Sequence, residues 1–352
     1  MKFSSICPNY ENYFRKQCIL KIIFEKHIMK PQSRQRLRTK TRTPHEKIKW
    51  EDRLYMKKNH FKKSITGYLF VLPQFLFFAV FTIYPVFEGF RISLYKDTAV
   101  SSTFVGLGNY VELFSDAVFA KSILNTLFLV FVVTAVSIVL GIIISLAVFD
   151  KGGRYISFIR TCYYLPVVVS TVVMAMVWSF LLNPANGLIP YLLRTAGQGN
   201  VNLLGNPKAV LWIIAFVTII ASLGTCLIMY IASMLGISTE LLEAAKIDGA
   251  TKVQQSIHIV IPLVRPTTMY LTITQVIAML KLFVIIQLLT DGGPNNASMT
   301  MMYYLYRNAF KYDKINSAAA IGVLMFVFAL AITLPQSKKL AGIEEKKKRA
   351  QK

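Results

Sequence analysis

Acidic side chains are scarce in this chain of 352 residues: 17 Asp and Glu stand against 40 Lys and Arg, a formal net charge of +23. Yet 54% of the residues are hydrophobic and the mean hydropathy is +0.49. A soluble globular domain would have to place both features on one surface. A bilayer separates them, with apolar residues inside it and basic ones in the water. Cysteine is also rare. Cys7, Cys18, Cys162 and Cys226 form no CxxC pair and no metal-ligand spacing with the four histidines, so they read as unpaired thiols and not as a disulfide or metal framework. His27, His45, His60 and His258 are scattered and read as solvent-facing residues, and no HExxH or paired-carboxylate cluster accompanies them. A GxxxxGK[ST] phosphate loop is missing too, so the chain does not hydrolyse ATP in the P-loop manner.

What the chain does have is long apolar runs. A membrane-spanning helix needs roughly 20 mostly apolar residues, and six stretches qualify: 65–87, 122–149, 163–182, 209–232, 267–290 and 317–335. Runs of this length mean helices, since membrane strands alternate and are about half as long. The expected fold class is therefore an all-α integral membrane protein with six transmembrane helices. Basic residues crowd the first 64 positions, the loop from Asp150 to Arg160 and the 336–352 tail, whereas the intervening loops of the other side are sparse in them. This predicts that both termini are cytoplasmic. The basic leader meets lipid headgroups more simply than nucleic acid. Within it, 1–55 has no sustained apolar period, and "MKKNHFKKSITGYLFVLP" from Met56 would itself make a natural membrane-protein start.

The spans contain almost nothing ionisable. Lys281 alone lies deep in one, and no Asp or Glu does. Ion-driven carriers usually keep acids there for coupling, and channels show a repeated filter or a charged ring. The remaining reading is a translocation pathway whose energy comes from elsewhere. "EAAKIDGATKVQQSIHIVIP", Glu243 to Pro262, interrupts the apolar runs on the cytoplasmic side. Ser238 stands at an N-cap position before "TELLEAAKI", Gly249 supplies a positive-φ end, and Thr251 to Gln254 has capping-box spacing. Helix, glycine turn, helix is a rigid projection suited to docking, or else a plain amphipathic connector.

That stretch closely resembles the EAA loop of permease subunits from ATP-binding-cassette importers, with Glu243, Ala244, Ala245, Asp248, Gly249, Ala250 and Pro262 matching its pattern. Ser256 replaces a usual aromatic and Ile261 a usual Leu. "FVGLGNYVELFSD", "LPVVVSTVVMAMVWSFLLNPANGLI" and "LTDGGPNNASMTMMYYLYRNAF" resemble the carbohydrate (maltose/glycerol-phosphate-like) branch. The resemblance covers about 65–335, with its core at about 121–335. It implies a type I importer permease fold and a non-enzymatic, pore-forming subunit in the cell membrane. The EAA loop would dock on a cytoplasmic ATPase dimer that carries ATP and Mg, so this chain would bind no cofactor. A second permease subunit would complete the pathway, an extracytoplasmic solute-binding protein would deliver a sugar, and no nucleic acid would be involved.

Sugar sites combine aromatic faces with a few hydrogen-bonding groups. Lys281, Phe283 and Gln287 are spaced to share roughly one face of a continuous helix, and Trp178 and Asn183 near the outer end of the third span are further candidates. Helix packing and a snorkelling Lys281 would explain the same residues. Val284 stands where relatives often carry an acid. An ion-coupled carrier and a non-transporting membrane scaffold remain rival readings.

Overall fold

A computed structural model describes residues 69–97, 101–149, 154–197, 199 and 202–350. The leader before 69, with Cys7, Cys18, His27, His45 and His60, lies outside the described residues, as does the proposed start at Met56. The chain divides between Phe75 and Leu76 into two units, and the packing below belongs to the second.

Helix α1 (Leu69–Ser93) contains one π-helical turn, Ala79–Ile83. A short antiparallel hairpin follows, β1 (Tyr95–Asp97) against β2 (Ser102–Phe104), with Tyr95 opposite Phe104. Then come α2 (Gly108–Ser115) and α3 (Ala117–Val148), whose first turn is capped by the Asp116 carboxylate accepting from the Val118 N–H at 2.8 Å. Next are α4 (Arg154–Val168), α5 (Thr171–Leu181), α6 (Leu188–Thr195) and α7 (Val210–Leu235). Two short helices, α8 (Thr239–Ile247) and α9, lead into α10 (Arg265–Leu280) and α11 (Val284–Leu289). Helix α9 is one rod built from Lys252–Gln255, a π-helical turn Ser256–Val260, and Ile261–Leu263. The last elements are α12 (Met301–Tyr306), running on through the π-helical turn Arg307–Lys311, and α13 (Ile315–Ala350). The basic tail after 335 is thus a continuation of the final helix as far as Ala350.

Among the described residues four helices are long and apolar enough to cross a membrane: Leu69–Ser93, Ala117–Val148, Val210–Leu235 and Ile315–Lys339. A fifth crossing is made only if the pair Arg160–Val168 and Thr171–Leu181, bent by 105°, counts as one. The 163–182 run is therefore not a straight span. Pro166 lies inside α4, two residues before its end, and the chain breaks after Val168. The expected 267–290 span is also interrupted, after Leu280. No proline or glycine marks that place. At the break the buried Thr300 hydroxyl donates to the Leu282 carbonyl at 3.2 Å and satisfies backbone the helix has released.

Helix α3 is the central strut. Along it Ser137, Gly141 and Ser145, each four residues from the next, form a small-residue stripe against α7. Ser137 Oγ meets Ser222 Oγ at 2.8 Å, and Ser145 Oγ donates to the Leu227 carbonyl at 3.4 Å. Between them a Cβ on Gly141 would lie 2.8 Å from the Cys226 Cβ. Helix α4 crosses α7 as closely at Gly224, where a Cβ would come within 2.5 Å of the Tyr163 carbonyl oxygen. One apolar cluster packs around the first half of α3 (Phe119, Leu129, Val133) and includes Ile214, Ile286, Met299 and Tyr303. A second gathers around Cys226, Tyr230, Met234, Val260, Val264 and Leu271, with Leu146 and Phe149 of α3 packed against it.

Candidate functional site

Two places carry the residues singled out by the sequence, one at each end of α3. At the C-terminal end lies the polar interruption. Helix α8 ends in a Schellman motif: the Ala250 N–H donates to the Ala245 carbonyl at 2.9 Å, and the Gly249 N–H to the Lys246 carbonyl at 3.2 Å. Gly249 has φ +83°, a conformation that glycine adopts freely. The next residue but one starts α9 with a complete capping box. The Gln254 N–H donates to Thr251 Oγ1 at 3.3 Å, and the Thr251 N–H donates back to Gln254 Oε1 at 2.8 Å. Gln255 Nε2 adds a bond to the Ala250 carbonyl at 3.1 Å. The turn therefore satisfies its own backbone and holds its shape.

Ser238 stands at the N-cap of α8, as the sequence predicts, but its side chain makes no capping hydrogen bond. Ala244 and Ala245 use their carbonyls to close the turn, and Asp248 is the exposed C-cap residue. Pro262 follows the π-helical turn, in which the Ile261 N–H reaches the Ser256 carbonyl five residues back. A rod already displaced from α-helical bonding accommodates a residue without an N–H. Val260 and Val264 are buried in the second cluster and tie α9 to α7, while Val253, Ile257 and Ile261 form an exposed stripe every fourth residue. Ile247, at the end of α8, is 86% exposed. Between α8, α9 and the end of α3 is a cleft of about 500 Å³ lined by Glu243, Lys246, Lys252, Gln255, Leu146 and Phe149 among others. Arg160 of α4 donates to the Val148 carbonyl at 2.9 Å, so the broken helix is tied to one wall of this cleft.

The second place is the chain break after α10. Lys281 is the exposed C-cap of α10, Phe283 has the non-helical angles φ −127°, ψ −61°, and Gln287 lies in the separate α11. They do not share a face of one helix, because the helix ends at Leu280 and a separate one begins at Val284. Phe283 instead joins an aromatic group, with ring centroids 4.8 Å from Tyr306 and 5.9 Å from Tyr303. Trp178 packs against the same apolar cluster as Phe283 and stands edge-on to Phe216 at 5.6 Å, lining an apolar cavity of about 370 Å³ with Leu182, Ile189 and Trp212. Asn183 folds a loop: its Oδ1 accepts from the Ala185 N–H at 2.9 Å. Trp178 and Phe283 thus share one apolar cluster, while the Asn183 side chain is used within its own loop.

Sequence reading missed the loop that frames the break. Residues 291–300 are stitched to α3, where Asn125 Nδ2 donates to the Met299 carbonyl at 2.9 Å and the Met301 N–H donates to Thr126 Oγ1 at 2.9 Å. The Tyr304 hydroxyl donates to Asp116. Burial, and then that bond, push its pKa up to about 12. Asp291 accepts from the Tyr303 hydroxyl and from Lys311 Nζ at 3.0 Å, and these two bonds hold its carboxyl below the ordinary range. The three groups are far apart in sequence, and only the consecutive asparagines and glycines of 292–296 hinted at a shaped turn. A carboxylate with a depressed folded pKa contributes its stabilisation fully above its unfolded pKa and loses it as pH falls through the folded value. Asp291→Asn is therefore expected to lower thermal stability slightly at neutral pH, the pair being exposed. Melting curves of variant and parent should converge in acid; parallel curves at all pH values would contradict this.

Residues 137–336 match the family model described as "Binding-protein-dependent transport system inner membrane component". A probable ABC transporter permease protein, YurN of Bacillus subtilis, is 34% identical over 79% of this chain and 96% of its own length. The sn-glycerol-3-phosphate transport system permease protein UgpA of Agrobacterium fabrum is 32% identical over 78% of this chain and 94% of its own. Among solved structures, a bacterial ABC transporter involved in the import of the acidic polysaccharide alginate superposes with a TM-score of 0.73 at 26% identity, over 83% of this chain and 99% of that one. The alginate transporter in complex with an alginate pentasaccharide-bound periplasmic protein gives 0.71 at 26%, over 79% and 94%.

Proposed function

This chain belongs to the binding-protein-dependent transport system inner membrane component family, and from that premise we propose that it moves a sugar or sugar derivative inward through a type I importer fold of six membrane crossings. It is an integral membrane permease. The observation that carries the coupling part of the reading is the self-satisfied turn at Gly249 between α8 and α9, projecting Glu243 and Ile247 from the end of α3. A lever must be stiff to transmit movement. This one is closed by the Schellman bonds and the capping box, and Val260 and Val264 anchor it to the helix packing.

In the proposed cycle, ATP and Mg are held and consumed by a separate cytoplasmic ATPase dimer, and this chain is not an enzyme. The ATPase grips α8 and α9, with Glu243 offering a charge-assisted contact and Ile247, Val253 and Ile257 an apolar one. Closure of the dimer moves α8 and α9, and with them the end of α3 and, through Arg160, the broken α4–α5 pair. A second, homologous permease completes the pathway, and an extracytoplasmic binding protein delivers the substrate. Both termini are cytoplasmic in this arrangement. Phe283, Lys281 and Gln287 at the chain break are the proposed substrate contacts, since a broken helix frees backbone and polar groups where a pathway needs them. The alginate and glycerol-phosphate systems among the relatives support a carbohydrate-like substrate.

Reconstitution tests the whole. With its ATPase, partner permease and binding protein in vesicles, the chain should take up sugar only with ATP. Gln287→Leu should weaken uptake, about tenfold if one substrate hydrogen bond of about 1–1.5 kcal/mol is lost, with the inserted amount unchanged. Uptake by the chain alone, driven by an ion gradient, would establish the rival carrier instead.

A further inference from the structure

The segment between α1 and α3 has two unlike sides. Asn109 of α2 is buried and donates from Nδ2 to the Ser93 and Tyr95 carbonyls, each at 2.8 Å, which fastens α2 to the end of α1. Tyr110 adds a hydroxyl contact to Ser93 Oγ at 2.8 Å, and Leu113 is buried in the first apolar cluster. Another side carries the Lys96–Glu112 ion pair at 2.7 Å. The remaining side consists of Leu107, Val111 and Phe114, at i, i+4 and i+7, which share one stripe of the helix and are 68%, 65% and 60% exposed.

The position of that stripe identifies its partner. Helix α2 hangs from the last residue of one membrane-crossing helix and ends one residue before the next, α3, begins. It therefore lies at the level where both leave the apolar layer, at the opposite end of α3 from the Gly249 turn. Phe114 stands edge-on to Phe119 of α3 at 5.8 Å, and α3 continues with exposed Leu124 and Phe131. α1 is apolar and largely exposed from Leu69 to Phe87, and its last turns before Ser93 carry the Glu88–Arg91 ion pair. The apolar stripe thus lies beside the exposed apolar residues of the two membrane-crossing helices, with an ion pair turned away from it. We propose that α2 is an interfacial helix that lies in the headgroup layer of the leaflet opposite the coupling loop, with Leu107, Val111 and Phe114 inserted at the acyl boundary.

Tryptophan placed on the stripe in the full chain, within the assembled transporter in vesicles, tests this. Val111→Trp and, as a second site, Leu107→Trp should each add a blue-shifted emission component over the parent's own tryptophans. Lipids brominated near the headgroup end of their chains should quench it more than lipids brominated near the methyl end. Glu112→Trp, on the charged side, should emit as a water-exposed residue and resist both. Blue-shifted emission that neither lipid quenches would assign the stripe to a protein neighbour and overturn the proposal, as would water-like emission from both stripe positions.

Discussion

Gly249→Val should abolish most ATP-coupled uptake while the chain still reaches the membrane at its normal level. Nothing lies within 4 Å of where the new Cβ would sit, so no clash is involved. The effect is conformational. At φ +83° a β-branched residue costs on the order of 1–3 kcal/mol, a roughly 5- to 150-fold lower population of the native turn. Relaxing that strain breaks the bonds from Gly249 and Ala250 back to Lys246 and Ala245 and lets α9 swing from its place. Binding-protein-stimulated ATP hydrolysis and uptake should fall together. Gly249→Asn, whose side chain tolerates the left-handed region, should keep much of both. Full uptake by the valine variant would reduce the α8–α9 turn to a connector.

Gly224→Val should act on the fold itself. Its Cβ would stand 2.5 Å from the Tyr163 carbonyl oxygen and 2.6 Å from Val167 Cγ2, with the Tyr164 Cα at 3.2 Å. Two of these three atoms are backbone, so side-chain rearrangement alone cannot admit it. Overpacking of this kind costs about 1–3 kcal/mol and occasionally more, and within a membrane close approach over small residues is what holds helices together. The expected results are a lower melting temperature in detergent and less assembled transporter, with Gly224→Ala already affected because the clash begins at Cβ. An unchanged melting temperature for the alanine variant would refute the close crossing.

What could be read in advance follows from the range of the interactions. The Gly249 turn and the Thr251–Gln254 box are made within five residues, so residue type and spacing sufficed, and the residues that match the EAA pattern lie on it. Ser238 shows the limit even there: the right residue at the right position leaves its hydroxyl out of the cap. The break after Leu280 was invisible because the group that satisfies its freed backbone, Thr300, is 18 residues from the carbonyl it bonds. A continuous apolar run read as a continuous helix, and Lys281, Phe283 and Gln287 were placed on a face that does not exist. The third run likewise read as one span, whereas the structure bends it by 105° after Val168. Asp291 illustrates the same limit, since its partners Tyr303 and Lys311 gain meaning only once the loop folds back.

The exposed stripe of Val253, Ile257 and Ile261, with Ile247 beside it, has a consequence for the life of the molecule outside the complex. A patch of this kind on a water-facing projection is stable only while something covers it. Under the proposed docking, a copy without its ATPase would carry an uncovered apolar surface, and its survival would then depend on how fast it is captured as well as on its folding equilibrium. In the proposed complex the side chains that would fit the lever to its motor are also those that an uncovered subunit would expose.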